Sequence, residues 1–91
     1  QTGPYKFEME ELYPNPFNPS TQISFSLPME DYVKLSAYNI RGNEVDVIFE
    51  GAQGVGQHSY TWKASSFPSG VYYIRLQAGS LVSSQKVLLI K

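Results

Sequence analysis

Short runs of strictly alternating apolar and polar residues, separated by turn-forming residues, limit the folds open to this chain more than any other feature. In an extended strand successive side chains point to opposite faces, so a two-residue period marks a half-buried strand. Between Thr21 and Leu27, Ile23, Phe25 and Leu27 alternate with Gln22, Ser24 and Ser26. Between Tyr32 and Asn39, Val33, Leu35 and Ala37 take one face, and Tyr32, Lys34, Ser36 and Tyr38 the other. Arg41-Gly42-Asn43 reads as a turn in which Gly42 supplies a positive φ. Glu44–Glu50 is the return strand, with Val45, Val47 and Phe49 expected on one face. Gly51 to Gly56 is expected to be a glycine-rich loop. Gln57–Ala64 then sets His58, Tyr60 and Trp62 on a common face. Pro68-Ser69-Gly70 signals a turn, and Val71–Ala78 and Leu81–Ile90 flank Gly79-Ser80 as a hairpin. Tyr72, Ile74 and Leu76 are expected inward, with Tyr73, Arg75 and Gln77 outward. No helix is expected, because Pro28 confines Met29–Asp31 to a turn.

A further short strand around Tyr5–Met9 brings the total to about seven, the pattern of a sandwich rather than a parallel sheet. The expectation is an all-β, Ig-like or fibronectin-like antiparallel β-sandwich. Trp62, Phe25, Leu35, Tyr72, Ile74 and Leu76 are assigned to one core. A chain of 91 residues makes one domain, and at this size folding buries only about 60–65% of the unfolded surface. The core is therefore thin, with little room for a deep cleft. Residues 12–91 are read as this domain, and 1–11 as the end of a linker with the possible first strand. Gln1-Thr2-Gly3-Pro4 looks like the cut end of that linker, and the chain is expected to be a fragment of a longer one.

Composition removes several function classes. A chain with 42% hydrophobic and 16% charged residues is not intrinsically disordered. The net charge of −1 and the scattered lysines and arginines lack the basic stripe of a nucleic-acid binder. The absence of cysteine rules out disulfides, thiolate metal sites and cysteine nucleophiles. No apolar run approaches the roughly 20 residues of a membrane span, so the chain is not expected to span a membrane. No signal peptide opens it; an export signal, for an exported protein, lies upstream.

Chemistry finds little support. His58 is the only histidine and reads as a ring packed beside aromatics. Glu8, Glu10 and Glu11 read as a solvated edge, and Glu30-Asp31 as a turn in which Asp caps backbone amides. Gly51, Gly54 and Gly56 precede neither a helix nor a Lys-Ser/Thr pair, so they form no phosphate loop. No catalytic residue, cofactor or metal is expected. Outward Tyr32, Tyr38 and Tyr73 offer a second reading, a sugar-stacking face on a carbohydrate-binding module. A structural Ig-like accessory domain is a third.

Two segments stand apart. In Tyr13-Pro14-Asn15-Pro16-Phe17-Asn18-Pro19-Ser20-Thr21, three prolines fix φ and withhold three amide donors, and each pushes its predecessor toward extended geometry. Asn15 and Asn18 suit turns in which they bond their own backbone, with Phe17 as the apolar anchor between them. The stretch is a rigid plug at the sandwich end or a recognition feature. In Lys86-Val87-Leu88-Leu89-Ile90-Lys91, Val87 and Leu89 serve the core while Leu88 and Ile90 point outward. Either the segment around Phe7 and Met9 covers these two aliphatics, or a partner pairs with the free edge of the strand.

In order along residues 12–91, these features resemble the type A C-terminal sorting domains of the type IX secretion system. The resemblance is carried by Tyr13–Thr21 running into Ile23–Pro28, and by Val33–Asn39 with Gly42 and Glu44-Val45. Gly56-Gln57-His58-Ser59 leading to Trp62 comes next, then Phe67-Pro68-Ser69-Gly70-Val71-Tyr72-Tyr73 and the ending Lys86–Lys91. It makes Pro14, Asn15, Pro16, Phe17, Gly70, Tyr72, Lys86, Leu88, Ile90 and Lys91 the sorting-motif candidates. It implies an upstream cargo taken to the periplasm by a signal peptide and then through the outer-membrane translocon. A sortase-like protease would remove the domain, leaving the cargo on the cell surface or released. Tyr13-Pro14-Asn15-Pro16-Phe17 and the pattern of Gly56, Trp62 and Gly70-Val71-Tyr72 are also similar to the Ig-like domain of flagellar hook-capping proteins.

Overall fold

The structure, a computed structural model, describes residues 5–91; the expected linker end at Gln1–Pro4 lies outside the described residues. Seven strands succeed one another: β1 (Glu8–Met9), β2 (Ser20–Leu27), β3 (Asp31–Tyr38), β4 (Glu44–Gln53), β5 (Gly56–Lys63), β6 (Gly70–Ala78) and β7 (Leu81–Leu89). All the strand pairings are antiparallel. A three-stranded sheet has the order β1-β2-β5 and a four-stranded sheet the order β4-β3-β6-β7. Placing the fourth strand beside the third, rather than in the first sheet, makes the sandwich fibronectin-like within the Ig-like class. The all-β expectation holds. No helix occurs among the described residues, so none there is long and apolar enough to cross a membrane.

Alternation does its expected work in four strands. Ile23, Phe25 and Leu27 from β2, Val33, Leu35 and Ala37 from β3, Tyr72, Ile74 and Leu76 from β6, and Val87 and Leu89 from β7 are all buried. They join Trp62 in one cluster between the sheets. Gly42 turns the β3–β4 hairpin at φ 83°, a conformation only glycine adopts without strain. Asp31 caps its turn as expected, its Oδ1 accepting from the Tyr32 amide at 2.8 Å. His58 packs on Phe25 with ring centroids 5.5 Å apart.

β4 departs from expectation in two ways. The supposed loop from Gly51 to Gly56 is mostly strand, since β4 continues through Gln53 and β5 opens at Gly56. The expected inward set of Val45, Val47 and Phe49 is also corrected. Leu35 pairs with Phe49 but Ser36 with Val47, and Ala37 pairs with Asp46 but Tyr38 with Glu44. Ile48 and Val45 are thus extra residues, and each bulge inverts the facing of the residues beyond it. Val45, Ile48 and Phe49 pack on the core, while Val47 is 42% exposed. At the N-terminus the strand shrinks from the expected Tyr5–Met9 to Glu8–Met9.

Substitutions at two valine- and leucine-type positions will distinguish the core from the bulge. Leu35→Ala should cost about 2–5 kcal/mol, as expected for a filled interior. Val47→Ala should cost less than about 0.5 kcal/mol, as at ordinary surface positions. Urea unfolding of both variants provides the check; equal losses would mean that the bulges do not turn Val47 outward.

Candidate functional site

The proline-rich segment and the terminal strand, more than 70 positions apart in sequence, meet at one end of the sandwich. The chain leaves β1 in the three-stranded sheet and crosses to the four-stranded one before it enters β2. Tyr13 still belongs to the first sheet, bridging to Gln22, and the Thr21 hydroxyl donates to the Pro14 carbonyl at 2.8 Å. A few residues later Phe17 forms a parallel bridge to Leu89 of β7. Three prolines suit this crossing, because a segment changing sheets has no ladder in which their missing amides would be needed. All three Xaa-Pro bonds are cis.

Asn15 does not fold back on its own backbone as expected. Its side chain reaches β7, where Nδ2 donates to the Lys86 carbonyl at 3.1 Å and Oδ1 accepts from the Leu88 amide at 3.0 Å. An amide side chain with one donor and one acceptor presents the same pair of groups as a backbone peptide, so Asn15 stands in for a strand. Phe17 continues the ladder. Its amide donates to the Leu88 carbonyl and its carbonyl accepts from the Ile90 amide, both at 2.9 Å. The end of β7 therefore has no free edge, which corrects the expectation of one. Nor does the segment around Phe7 and Met9 cover Leu88 and Ile90. Met9 pairs with Phe25 in the other sheet, and Leu88 and Ile90 stay 37% and 49% exposed.

Beneath this crossing lies an aromatic cluster. Phe17 is buried with its ring 5.6 Å from Trp62, and Trp62 meets Tyr72 edge-on at 5.5 Å and 74°. Phe67 completes the group at 5.8 Å from Trp62. Both polar tips are satisfied, as buried Trp and Tyr require. Trp62 Nε1 donates to Asp46 Oδ2 at 2.9 Å, tying β5 to β4 across the two sheets. Tyr72 donates its hydroxyl to the Pro68 carbonyl at 2.6 Å, the corner arrangement found in Ig-like sandwiches. Burial pushes its phenol above the ordinary 10.0. Gly70 opens β6 at φ 153° with nothing crowding it, so backbone conformation and not space calls for glycine there. Lys91 closes the end. Its ammonium donates to the Ser65 and Phe67 carbonyls at 2.7 and 2.9 Å, and its amide donates to Ser69 Oγ at 3.0 Å.

All ten sorting-motif candidates thus fall in one region. Asn15 and Phe17 join the proline-rich segment to β7, while Gly70, Tyr72 and Lys91 build the corner at residues 65–70 beside it. Pro14 and Pro16 shape the crossing, while Lys86, Leu88 and Ile90 project from its rim. Gln85 was missed by sequence reasoning. Its amide donates to the Met9 and Glu10 carbonyls at 3.0 and 2.9 Å, and its oxygen accepts from the Leu12 amide at 3.3 Å. A polar residue at an inward position of β7 was the available signal. The backbone groups at the end of β7 are bonded to Asn15 and Phe17, so what this end offers a partner is side chains.

The tyrosines proposed to stack on sugar do not form a platform. Tyr38 and Tyr73 are cross-strand neighbours, but Tyr32 sits six positions along β3 from Tyr38, about 20 Å away at strand spacing. Its hydroxyl is taken up by Glu50 at 3.2 Å.

The fold and the site define a small fibronectin-like sandwich whose first and last segments are laced together. The chain matches the family of secretion system C-terminal sorting domains over residues 11–91. It belongs to that family, whose members are the sorting signals of type IX secretion cargo, directing it across the outer membrane to the cell surface or the extracellular space. Such domains are normally non-catalytic and imply an upstream cargo and the type IX machinery as partners. No curated protein matches the chain.

The buried phenol gives a pH test of the corner. Tyr72 ionises later in the folded than in the unfolded state. Its contribution is therefore complete below the unfolded pKa near 10 and is lost as pH rises through the folded one. The urea midpoint should hold steady to about pH 9 and then fall. Tyr72→Phe should be less stable at neutral pH and decline less steeply. Tyr60, also raised by burial, leaves part of the slope in place. An unchanged slope in Tyr72→Phe would mean that Tyr72 is not the group responsible.

Proposed function

We propose that the laced end, made of Asn15 and Phe17 against β7 with Gly70, Tyr72 and Lys91 around it, is the part of the domain that the export machinery reads. The supporting observation is the convergence of every motif candidate on that end, while the opposite end of the sandwich carries none. In this reading the folded unit runs from about residue 12, with the preceding residues supplying the linker and a first strand. The cargo passes through the periplasm with the domain attached, and the outer-membrane translocon engages the domain. A sortase-like protease then cuts ahead of it. The domain's own residues provide binding surface, and the chemistry of cleavage belongs to the protease.

A reporter with a signal peptide, fused ahead of residues 1–91 and expressed in a host with a working type IX system, tests this. The fused reporter should appear at the cell surface or in the medium, smaller than the fusion by about the domain's 10.2 kDa. The reporter alone should stay in the periplasm. Export of the bare reporter would remove the sorting role, and a surface product that keeps the domain would remove the protease step.

A further inference from the structure

We propose that the terminal hairpin is read through its outer face and not through its edge, by a protein presenting an apolar recess rimmed with carboxylates. This inference rests on the sorting reading proposed for the laced end.

The edge beside Leu88 and Ile90 is already occupied. Along one strand, the backbone groups that point toward a given neighbour recur every second residue. On β7 those facing away from β6 include the Lys86 carbonyl, both groups of Leu88 and the Ile90 amide. All four are bonded: the Lys86 carbonyl and the Leu88 amide to Asn15, the Leu88 carbonyl and the Ile90 amide to Phe17. An added strand would need those same groups. The groups left on that edge, those of Val82 and Ser84 and the Lys86 amide, lie toward the far end of β7 and away from Leu88 and Ile90.

The face remains open. Leu88 lies directly across from Val71, and Ile90 stands at the next outward position. Tyr73 is 41% exposed beside them, and Ile40 is 74% exposed at the adjoining turn, where a shallow recess is lined by Ile40, Val71 and Pro68. These apolar groups adjoin at one corner of the sheet, where scattered single side chains would need no explanation. Charge selects the occupant. β6 and β7 carry Arg75 and Lys86 and no carboxylate, whereas β3 and β4 of the same sheet carry Asp31, Glu44, Asp46 and Glu50 against the single cation Lys34, which is paired with Glu44. Lys86 faces outward across from Tyr73, next to Leu88. Apolar contact at the centre with basic groups at the rim is complementary to an acidic-rimmed hollow.

The two modes of reading predict opposite responses. If the face is read, Leu88→Ser and Lys86→Glu should each reduce surface display of the fused reporter about tenfold, the loss expected on removing one anchoring side chain. Asn15→Ala, which loosens the lacing and frees the edge at Lys86 and Leu88, should lower display. If the edge is read, Asn15→Ala should raise display, and the face variants should behave as the parent. Either of those results overturns the proposal. Melting of each variant is measured alongside; Lys86 is exposed, so Lys86→Glu decides the matter should Leu88→Ser prove unfolded. Deletion of residues 11–91 is the control. If the deletion does not reduce display, the sorting reading itself fails; if the deletion abolishes display while folded face variants match the parent, only the face inference fails.

Discussion

The bond pair between Asn15 and the backbone of β7 is the constraint on which this end of the molecule depends. Packing between two sheets is driven by burial of apolar surface, which is strong but has no direction. Directed contacts must fix where the sheets sit relative to one another, and where the chain ends lie. Here the Tyr13–Phe17 crossing supplies them: one end is bonded to β2 and the other to β7. The buried Phe17 ring beneath it makes the crossing costly to lift, because lifting it would also uncover Trp62. Trp62 in turn holds Asp46, and Gln85 holds the segment that leads from β1. Each contact spans the two sheets, so the corner is ordered only when both are packed.

That dependence bears on what a sorting signal of this kind is. Asn15 and Leu88 are 73 positions apart, and contacts of that separation form only once the intervening chain is folded. The geometry of the terminal residues is therefore a property of the whole domain and not of a short peptide. Leu88 and Ile90 are aliphatic side chains that burial alone would not leave exposed at a strand end. The lacing keeps them there by occupying the edge behind them while leaving their outer face bare. An exposed strand edge also invites pairing between copies, and the Asn15 side chain closes this one without adding another strand.

Much of the sandwich was legible in the sequence because alternation carries facing directly. Ile23, Phe25, Val33, Leu35, Tyr72, Ile74, Val87 and Leu89 could be turned inward from the pattern alone, and the outward Leu88 and Ile90 came from the same count. The pattern failed in β4, where Val47 and Ile48 are indistinguishable as β-branched residues and only the pairing with β3 shows which is the extra one. It also failed for Asn15. A short polar side chain between prolines has a ready local use in a turn, and nothing near it in sequence points to a strand at the other end of the chain. Gln85 is the same case in reverse, a polar residue at a core-facing position whose partners are distant carbonyls. The region of the site was visible as two unusual segments, and their meeting was not, because side chain-to-backbone bonds across such separations leave no periodic trace.

Amide hydrogen exchange on the unmodified chain tests the lacing most directly. If Asn15 and Phe17 close the end of β7, the Leu88 and Ile90 amides, which face away from β6, will exchange as slowly as amides in the middle of β3 and β6, because they open only with the packed corner. Exchange of Leu88 and Ile90 at the rate of an unstructured chain, with β3 and β6 still protected, would show that the terminal strand has an open edge and contradict the lacing.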